Sequence, residues 1–502
     1  MKYLYTGKQA KAIDTHAIET MGMPSPVLME RAAMSVAAVL MNRESKNIRI
    51  LAVCGTGNNG GDAVATARIL HEQGYSAAIT VAGDEAHMTE EMKKQLALAI
   101  NCQVPVLPLS SISDGVFDVL LDGIFGIGLS REVTGVYASV ISSVNNSEAR
   151  RYAIDIPSGI SAETGDILGV AVKAEVTVTF GVNKLGLVLF PGCEYAGEVF
   201  VSDIGFPRKS IASLKPNTYF YEKCDLQKMP RRPARSHKGT FGHVLVIAGS
   251  ESMCGACFLA AKAAYMAGAG LVRVVTTENN RTALLNGIPE ILFSDREELS
   301  DVLPWADSVV IGPGIGLSDQ SKQMVRYVLE HAEVPAVLDG DAIPIVSRLA
   351  DSLPERFVLT PHVKEMTYLT ETEIPQLLKN ILGSTIEAAK KWGCVMVQKD
   401  ARTVVSNGEE AYINVSGNSG MATGGAGDVL AGFVGGLLAQ KMKPFEAAKL
   451  AVYVHGLAGD FARDKRSPYS MMASDILEGI PMVWNMGDRN EGEESGAGRE
   501  IF

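Results

Sequence analysis

Asp62 closes the run GTGNNGGD at residues 55–62, directly after the amides Asn58 and Asn59 and the pair Gly60 and Gly61. Backbone N–H groups in a glycine-rich turn favour an anion, whereas a carboxylate fixed at the same mouth repels one unless a cation intervenes. The combination suits a cation with a neutral polar ligand, or phosphates held by a different part of the turn. Gly55, Gly57 and Gly60 also match a dinucleotide loop, with Asp84 roughly twenty residues on as a ribose acid, which leads to an oxidoreductase. Two further acids end apolar runs: Asp122 in VLLDGIFGIGL and Asp155 in YAIDIPSG. In the second half, Gly424, Gly425, Ala426 and Gly427 precede Asp428 and a long apolar stretch. Free backbone N–H groups at such a helix start stabilise an oxyanion. A carboxylate beside them can accept the proton of an attacking hydroxyl, an arrangement fitted to phosphoryl transfer.

The elements that must position these residues alternate. NIRILAVC, AAITVAG, FDVLLDG, RRYAIDIP, KAEVTVTFG and GEVFVSDIGF are short apolar strands between Ala-rich helical stretches. Continuous apolar strands of this kind belong to parallel sheets covered on both faces, with ligands at the strands' carboxyl ends. The rhythm breaks over residues 208–235, where Pro216, Pro230, Pro233 and a basic cluster mark a linker. It restarts with HVLVIAG, LVRVVTT, ADSVVIG, PAVLDG, RFVLTPH, CVMVQKD and RTVVSNG. The expected fold is α/β, two three-layer αβα domains in series over 1–210 and 225–485, with residues 486–502 a disordered polar tail.

A chain of 502 residues with 47% hydrophobic and 21% charged residues fits this plan. Its net charge of −11 argues against nucleic-acid and anionic-membrane surfaces. No apolar run reaches membrane-spanning length and the opening MKYLYTGKQAKAID lacks a signal-peptide core. Seven sparse cysteines point to a reducing cytoplasm, and the Cys254/Cys257 pair reads as buried thiols.

The GAGD helix start resembles the ribokinase-like superfamily of small-molecule kinases. HKGTFGHVLVIAG, IGPGIG, VLDGDAI, LTPHVKEM and AVYVHGLAGD resemble one branch of it, and GTGNNGGD, DGIFGIGL and DIPSG resemble that branch's partner domain. Over residues 1–485 the chain is similar to the NAD(P)H-hydrate repair family, an epimerase fused to an ADP- or ATP-dependent dehydratase. The resemblance implies a Rossmann-like first domain and a ribokinase-like second one. It implies that Asn58, Asn59, Gly60, Gly61 and Asp62 contact the hydrated nucleotide together with Asp155 and the loop Gly126, Ile127, Gly128, Leu129, Ser130, Arg131 and Glu132. Asn59, Asp122 and Ser158 are implied to hold K⁺, and Asp155 to be catalytic. In the second domain Ala256, Gly314 or Ile315, and His362 are implied to line the hydrate site. Lys399, Asp400, Ala401, Arg402, Thr403 and Gly427 are implied to hold the nucleotide with Mg²⁺, and Asp428 to serve as base toward the substrate. Ala63, Ile127 and Asp400 depart from the family's usual residues. The expected partners are small molecules alone, with association into homo-oligomers.

The chemistry is coherent. Hydroxide leaves a reduced nicotinamide ring poorly and phosphate leaves well, so a kinase-type site can drive dehydration. Such a site places only one hydroxyl epimer in line, and an epimerase removes that limit. The rival readings are a vitamin or sugar kinase with an accessory domain, a nicotinamide-dependent oxidoreductase, and a ligand-sensing amino-terminal module.

Overall fold

The structure, a computed structural model, describes residues 1–493, with side chains to residue 487. The chain forms two compact units, Tyr3–Pro216 and Asn217 onward together with Met1–Lys2.

The first unit is built on β1 (Arg49–Cys54), β2 (Ser76–Val81), β3 (Val119–Gly123), β4 (Arg150–Ile154), β5 (Val176–Phe180) and β6 (Glu198–Ser202). They pair in parallel in the order β2-β1-β3-β4-β5-β6. Alternate residues of β1 serve two cores. Ile50, Ala52 and Cys54 face one layer of helices, and Leu51 and Val53 face the other. This double burial is why the strand reads as an unbroken apolar run. Three helices matter for the site: α1 (Gly7–Thr15), α2 (Ser25–Arg43) and α3 (Asn58–Glu72). The chain leaves β1 toward β2 on one side while β3 lies on the other, so the loops after β1 and β3 diverge and open a crevice.

The second unit contains β7 (Thr218–Phe220), β8 (His243–Ile247), β9 (Leu271–Thr276), β10 (Leu292–Asp295), β11 (Ser308–Ile311), β12 (Ala336–Leu338), β13 (Phe357–Leu359), β14 (Val395–Gln398), β15 (Val404–Ser406) and β16 (Ala411–Ile413). The order is β10-β9-β8-β11-β12-β13-β14-β15-β16-β7, and pairing is parallel from β10 through β14. Val244 and Val246 of β8 face one core, Leu245 and Ile247 the other. RTVVSNG breaks the parallel rhythm expected of it, because β15 returns antiparallel to β14. Only residues 399–403 separate the two strands, too few for a crossover helix.

Helix α4 (Cys254–Met266) lies against α6 (Ala426–Ala439), while α5 (Val363–Thr370) and α7 (Pro444–Arg466) flank the same sheet. The small residues of α6 have a packing role. A Cβ on Gly432 would sit 2.0 Å from the Ala260 carbonyl oxygen, and one on Gly435 would sit 2.2 Å from Val310 Cγ2.

The expected tail needs correction. A helix runs over Ala473–Glu493 and takes in the first half of the polar stretch. Ile476, Leu477, Ile480 and Val483 enter the core, and the Trp484 indole N–H donates to the Met266 carbonyl at 2.8 Å. The apolar anchors upstream carry the helix into a segment whose own composition is polar. Residues 494–502 of the expected tail lie outside the described residues.

Gly432→Ala should destabilise the second unit by about 1–3 kcal/mol, the usual scale of overpacking. Gly424→Ala meets nothing within 4 Å and should stay within about 0.5 kcal/mol of the parent. Thermal unfolding of both variants checks this contrast.

Candidate active sites

The first crevice is a cleft of about 700 Å³ at the carboxyl ends of β1, β3 and β4. Its glycines act differently from those of a dinucleotide loop. A Cβ on Gly55 would lie 2.0 Å from the Ile124 carbonyl oxygen, and one on Gly60 would lie 2.0 Å from the Gly55 carbonyl oxygen. Both residues are small so that the turn can nest against the loop after β3. Gly57 is open and starts α3. Asp84 caps the short turn after β2, accepting from the Ala86 N–H at 2.9 Å, so it is spent locally.

Asn58, Asn59, Asp62, Asp155 and the loop Gly126, Ile127, Gly128, Leu129, Ser130 and Arg131 all line this cleft. Gly60 and Gly61 are buried inside the first turn of α3, and exposed Glu132 lies just past the lining. Asp155 sits at the end of β4 with φ +67°, a conformation rare outside glycine and associated with functional sites. Its Oδ1 accepts from Lys184 Nζ at 2.6 Å, Thr179 Oγ1 at 3.1 Å and the Phe180 N–H at 3.2 Å. Lys184 is itself buried and also donates to Thr179 Oγ1 and to the Phe180 carbonyl. A short pairing of Leu4 and Tyr5 with Asn183 and Lys184 fixes its place.

Asp62 and Asp14 face the same cleft without such a partner, and neither carboxylate carries a hydrogen bond or ion pair among the described residues. Burial first, then the charges of Asp155 and Asp14, push the Asp62 pKa well above its ordinary value. Burial and Asp155 also raise Asp14, with Lys11 opposing.

Beneath the cleft, Asn59, Asp122 and Ser158 converge on Phe125. Asn59 Nδ2 donates to the Phe125 carbonyl at 3.0 Å, and the Phe125 N–H donates to Ser158 Oγ at 2.8 Å. Asp122 accepts from the Ser158 N–H at 2.7 Å and from Ser158 Oγ at 2.5 Å. Burial lifts Asp122 to about 6 despite these bonds. This amide, carboxylate, hydroxyl and carbonyl set offers only oxygen ligands, the chemistry of a hard cation.

The second site lies at the corresponding switch of the other sheet, between the loops after β8 and β11. A Cβ on Gly314 (φ +63°) would lie 2.9 Å from Ala256 Cβ, so these two residues meet. Ile315 turns its side chain into the core, and its carbonyl accepts from Ser321 Oγ at 2.8 Å. His362 caps α5: its N–H donates to Glu365 Oε2 at 2.9 Å while Nδ1 accepts from the Glu365 N–H at 3.1 Å. Burial and then Lys399 lower the His362 pKa, while Asp339 opposes them.

Lys399 reaches Asp339 Oδ1 at 2.6 Å, and Thr360 Oγ1 donates to the same oxygen at 2.7 Å. Burial opposes the Lys399 charge, but Asp339 and Glu365 prevail and raise its pKa. Asp428 is half-buried, and burial with Asp339 raises it to about 7 against the pull of Lys399. Burial likewise raises Glu365 to about 7. Gly425 takes φ +91° to start α6, and Gly427 faces Lys399, where a Cβ would be 3.1 Å from Nζ. Half-buried His455 is held neutral, near 4, by desolvation, and its Nε2–H donates to the Ala426 carbonyl at 3.0 Å, fixing the first turn of α6. Asp400 and Ala401 are exposed in the turn to Thr403, whose Oγ1 donates to the Asp400 carbonyl at 3.1 Å, and Arg402 is half-buried beside it.

Motif reading left out Lys11, Asp14, Lys184, Asp339, Asp341 and Glu365. Lys184 follows β5 at its carboxyl end, where the strand-end rule could have found it. Asp339, Asp341 and Glu365 stand inside VLDGDAI and LTPHVKEM. Nothing near Asp14 marks it.

Two α/β units, each with an acid-rich site at the switch point of its parallel strands, define an enzyme with two small-molecule sites on one chain. Residues 25–186 match the family model described as YjeF-related protein N-terminus, and residues 244–482 match the one described as NAD(P)H-hydrate dehydratase. The bifunctional NAD(P)H-hydrate repair enzyme of Thermofilum pendens is 34% identical over 94% of this chain and 94% of its own. That of Moorella thermoacetica is 35% identical over 96% of each chain. A ribokinase-like superfamily protein from Enterococcus faecalis, known by crystal structure, is 33% identical with a TM-score of 0.51, covering 54% of this chain and 97% of its own. The chain belongs to the bifunctional NAD(P)H-hydrate repair enzymes, and its activity is the repair of hydrated NADH and NADPH.

Asp62→Asn should raise the thermal midpoint of the first unit. A carboxylate whose folded pKa lies above its unfolded value weakens the fold once pH exceeds the unfolded pKa, about 3.9. The gain should therefore be absent near pH 3.5 and grow toward neutrality, as thermal melts across that range will test.

Proposed function

We propose that the first unit, within residues 1–210, interconverts the R and S hydrates, and that the second, within 225–485, dehydrates the S hydrate to NAD(P)H with ADP or ATP. The observation that carries the second half is Asp428: a half-buried carboxylate with a pKa of about 7, one turn into a helix that starts on open glycine backbone. A base with a pKa near the working pH is matched to accepting a hydroxyl proton.

In this reading Ala256, Gly314, Ile315 through its backbone, and His362 shape the hydrate pocket. Lys399, the turn Asp400, Ala401, Arg402 and Thr403, and Gly427 hold the nucleotide. The N–H groups around Gly427 and the Lys399 ammonium face the phosphoryl oxygens. Asp428 takes the proton of the substrate hydroxyl as that oxygen gains the phosphoryl group. The lone pair of the ring nitrogen then expels phosphate to leave a cationic ring, and loss of a proton from the adjacent ring carbon to the released phosphate restores the dihydropyridine. Mg²⁺ fits such a site, because one or two carboxylates and substrate phosphates hold it; Asp339 and Asp341 would supply the carboxylates, and bound Mg²⁺ would neutralise phosphate charge.

In the first unit Asp155 stabilises the cationic ring formed when the hydroxyl departs and handles a proton. Asn58, Asn59, Asp62, Asp155 and the loop from Gly126 to Glu132 contact the hydrate. K⁺ fits the oxygen set of Asn59, Asp122 and Ser158, and it would offset the carboxylates where phosphates enter. Seven free thiols fit a reducing cytoplasm.

Asp428→Asn should lower nucleotide-dependent dehydration by about 10²-fold or more while nucleotide still binds. In the parent enzyme kcat/KM should rise with pH and level off above about 7, where Asp428 is ionised. Steady-state rates followed by dihydronicotinamide absorbance, with calorimetric nucleotide binding, test both.

Asp155→Asn and Asp122→Asn should differ in epimerisation assays without nucleotide. The first loses turnover by about 10²-fold or more with affinity largely kept, whereas the second weakens binding and recovers partly as K⁺ rises. Equal loss with no K⁺ response contradicts the assignment.

A further inference from the structure

The first cleft contains more carboxylates than one proton transfer requires, and they are held in two different ways. Its charged lining consists of Lys11 and Asp14 on α1, Asp62 on α3, Arg131 on the loop after β3, and Asp155 with Lys184. Asp122 lies buried below, bonded to Ser158. The Arg68 and Glu30 pair joins α3 to α2 with Arg68 Nη2 2.5 Å from Glu30 Oε2, and neither residue lines the cleft. Asp155 is pinned by an ammonium, a hydroxyl and a backbone N–H. Asp62 comes from a separate element and has no bonding partner among the described residues, yet Asp14 and Asp155 both lie close enough to repel its charge.

Epimerisation at one ring carbon needs a hydroxyl to leave on one face and water to add on the other. Two proton-handling groups on different walls of the cleft meet that need, and one group on one wall does not. We propose that Asp62 is a second catalytic residue of the epimerisation, working as the acid opposite Asp155, and that Asp14 is a positioning residue that keeps a proton on Asp62. This inference rests on the epimerase reading of the first unit.

The step balances. The Asp62 carboxyl proton passes to the substrate hydroxyl oxygen as the carbon–oxygen bond breaks and water departs. The lone pair of the ring nitrogen forms a carbon–nitrogen double bond, leaving a cationic ring beside the Asp155 carboxylate. Water adds to the opposite face, its oxygen bonds to the same carbon, and its proton goes to Asp155. Exchange with solvent returns the proton from Asp155 to Asp62. Nothing is oxidised or reduced. Divergent environments for two carboxylates in one site are the usual arrangement for separating acid from base.

The test uses the full-length chain, purified hydrate epimers, no nucleotide and saturating K⁺. Asp62→Asn should cut epimerisation by about 10²-fold or more, with S-hydrate dehydration by the second unit unchanged. Asp62→Glu should recover part of the rate. In the parent, epimerisation should fall as pH rises through the Asp62 titration. Asp14→Asn should move that alkaline limb to lower pH, a shift that a merely structural role would not produce. Near-parent turnover in Asp62→Asn, or an unmoved limb in Asp14→Asn, overturns the proposal even if Asp155→Asn is inactive. A parent chain that does not interconvert the epimers at all overturns the epimerase reading instead.

Discussion

Negative charge taken out of water at the open ends of parallel strands is the constraint on which both sites depend. A buried carboxylate is costly unless it is paired and hydrogen-bonded. The chain answers that cost with one lysine per site: Lys184 against Asp155 at 2.6 Å and Lys399 against Asp339 at 2.6 Å. Asp122 is accommodated by Ser158 instead. The remaining acids, Asp62 with Asp14 in one site and Asp428 with Glu365 in the other, are left under-compensated, and their pKa values rise. Stability given up at these positions is what makes them useful for moving protons near neutral pH.

Close backbone approach supplies the geometry. Gly55 and Gly60 let the turn after β1 settle on the loop after β3, which brings Asn59 to the Phe125 carbonyl. In the second unit Gly432 and Gly435 let α6 lie tightly against α4 and β11, while His455 fixes its first turn. The position of Asp428 thus follows from packing some distance along the helix, and the loop that starts α6 remains open for a ligand.

Much of this was legible in the sequence because apolar strands buried on both faces are unbroken runs, and the acids at their ends stand out. Asp122, Asp155 and Asp428 could be named for that reason. The glycine spacing after β1 leaves a pyrophosphate loop open as an alternative, since glycine serves close packing and phosphate approach alike and only the neighbours decide which. The antiparallel turn to β15 escaped notice because RTVVSNG has the same composition as a parallel strand. The helix over Ala473–Glu493 was hidden by its polar end, its anchors being tertiary contacts such as Trp484 to Met266. Lys184 and Asp14 lie far in sequence from the acids they face, and no local spacing records that proximity.

The account claims that two acid sites on one chain act in series on one damaged cofactor. The most direct measurement follows an equimolar mixture of the R and S hydrates of NADH with the full-length protein, Mg²⁺, K⁺ and ADP or ATP, resolving both epimers by chromatography while recording dihydronicotinamide absorbance. The account predicts that both epimers disappear, that NADH is recovered from the whole input, and that phosphate is released in equal amount. Recovery that stops at the S fraction, or a phosphorylated hydrate that accumulates as a stable product, would contradict it.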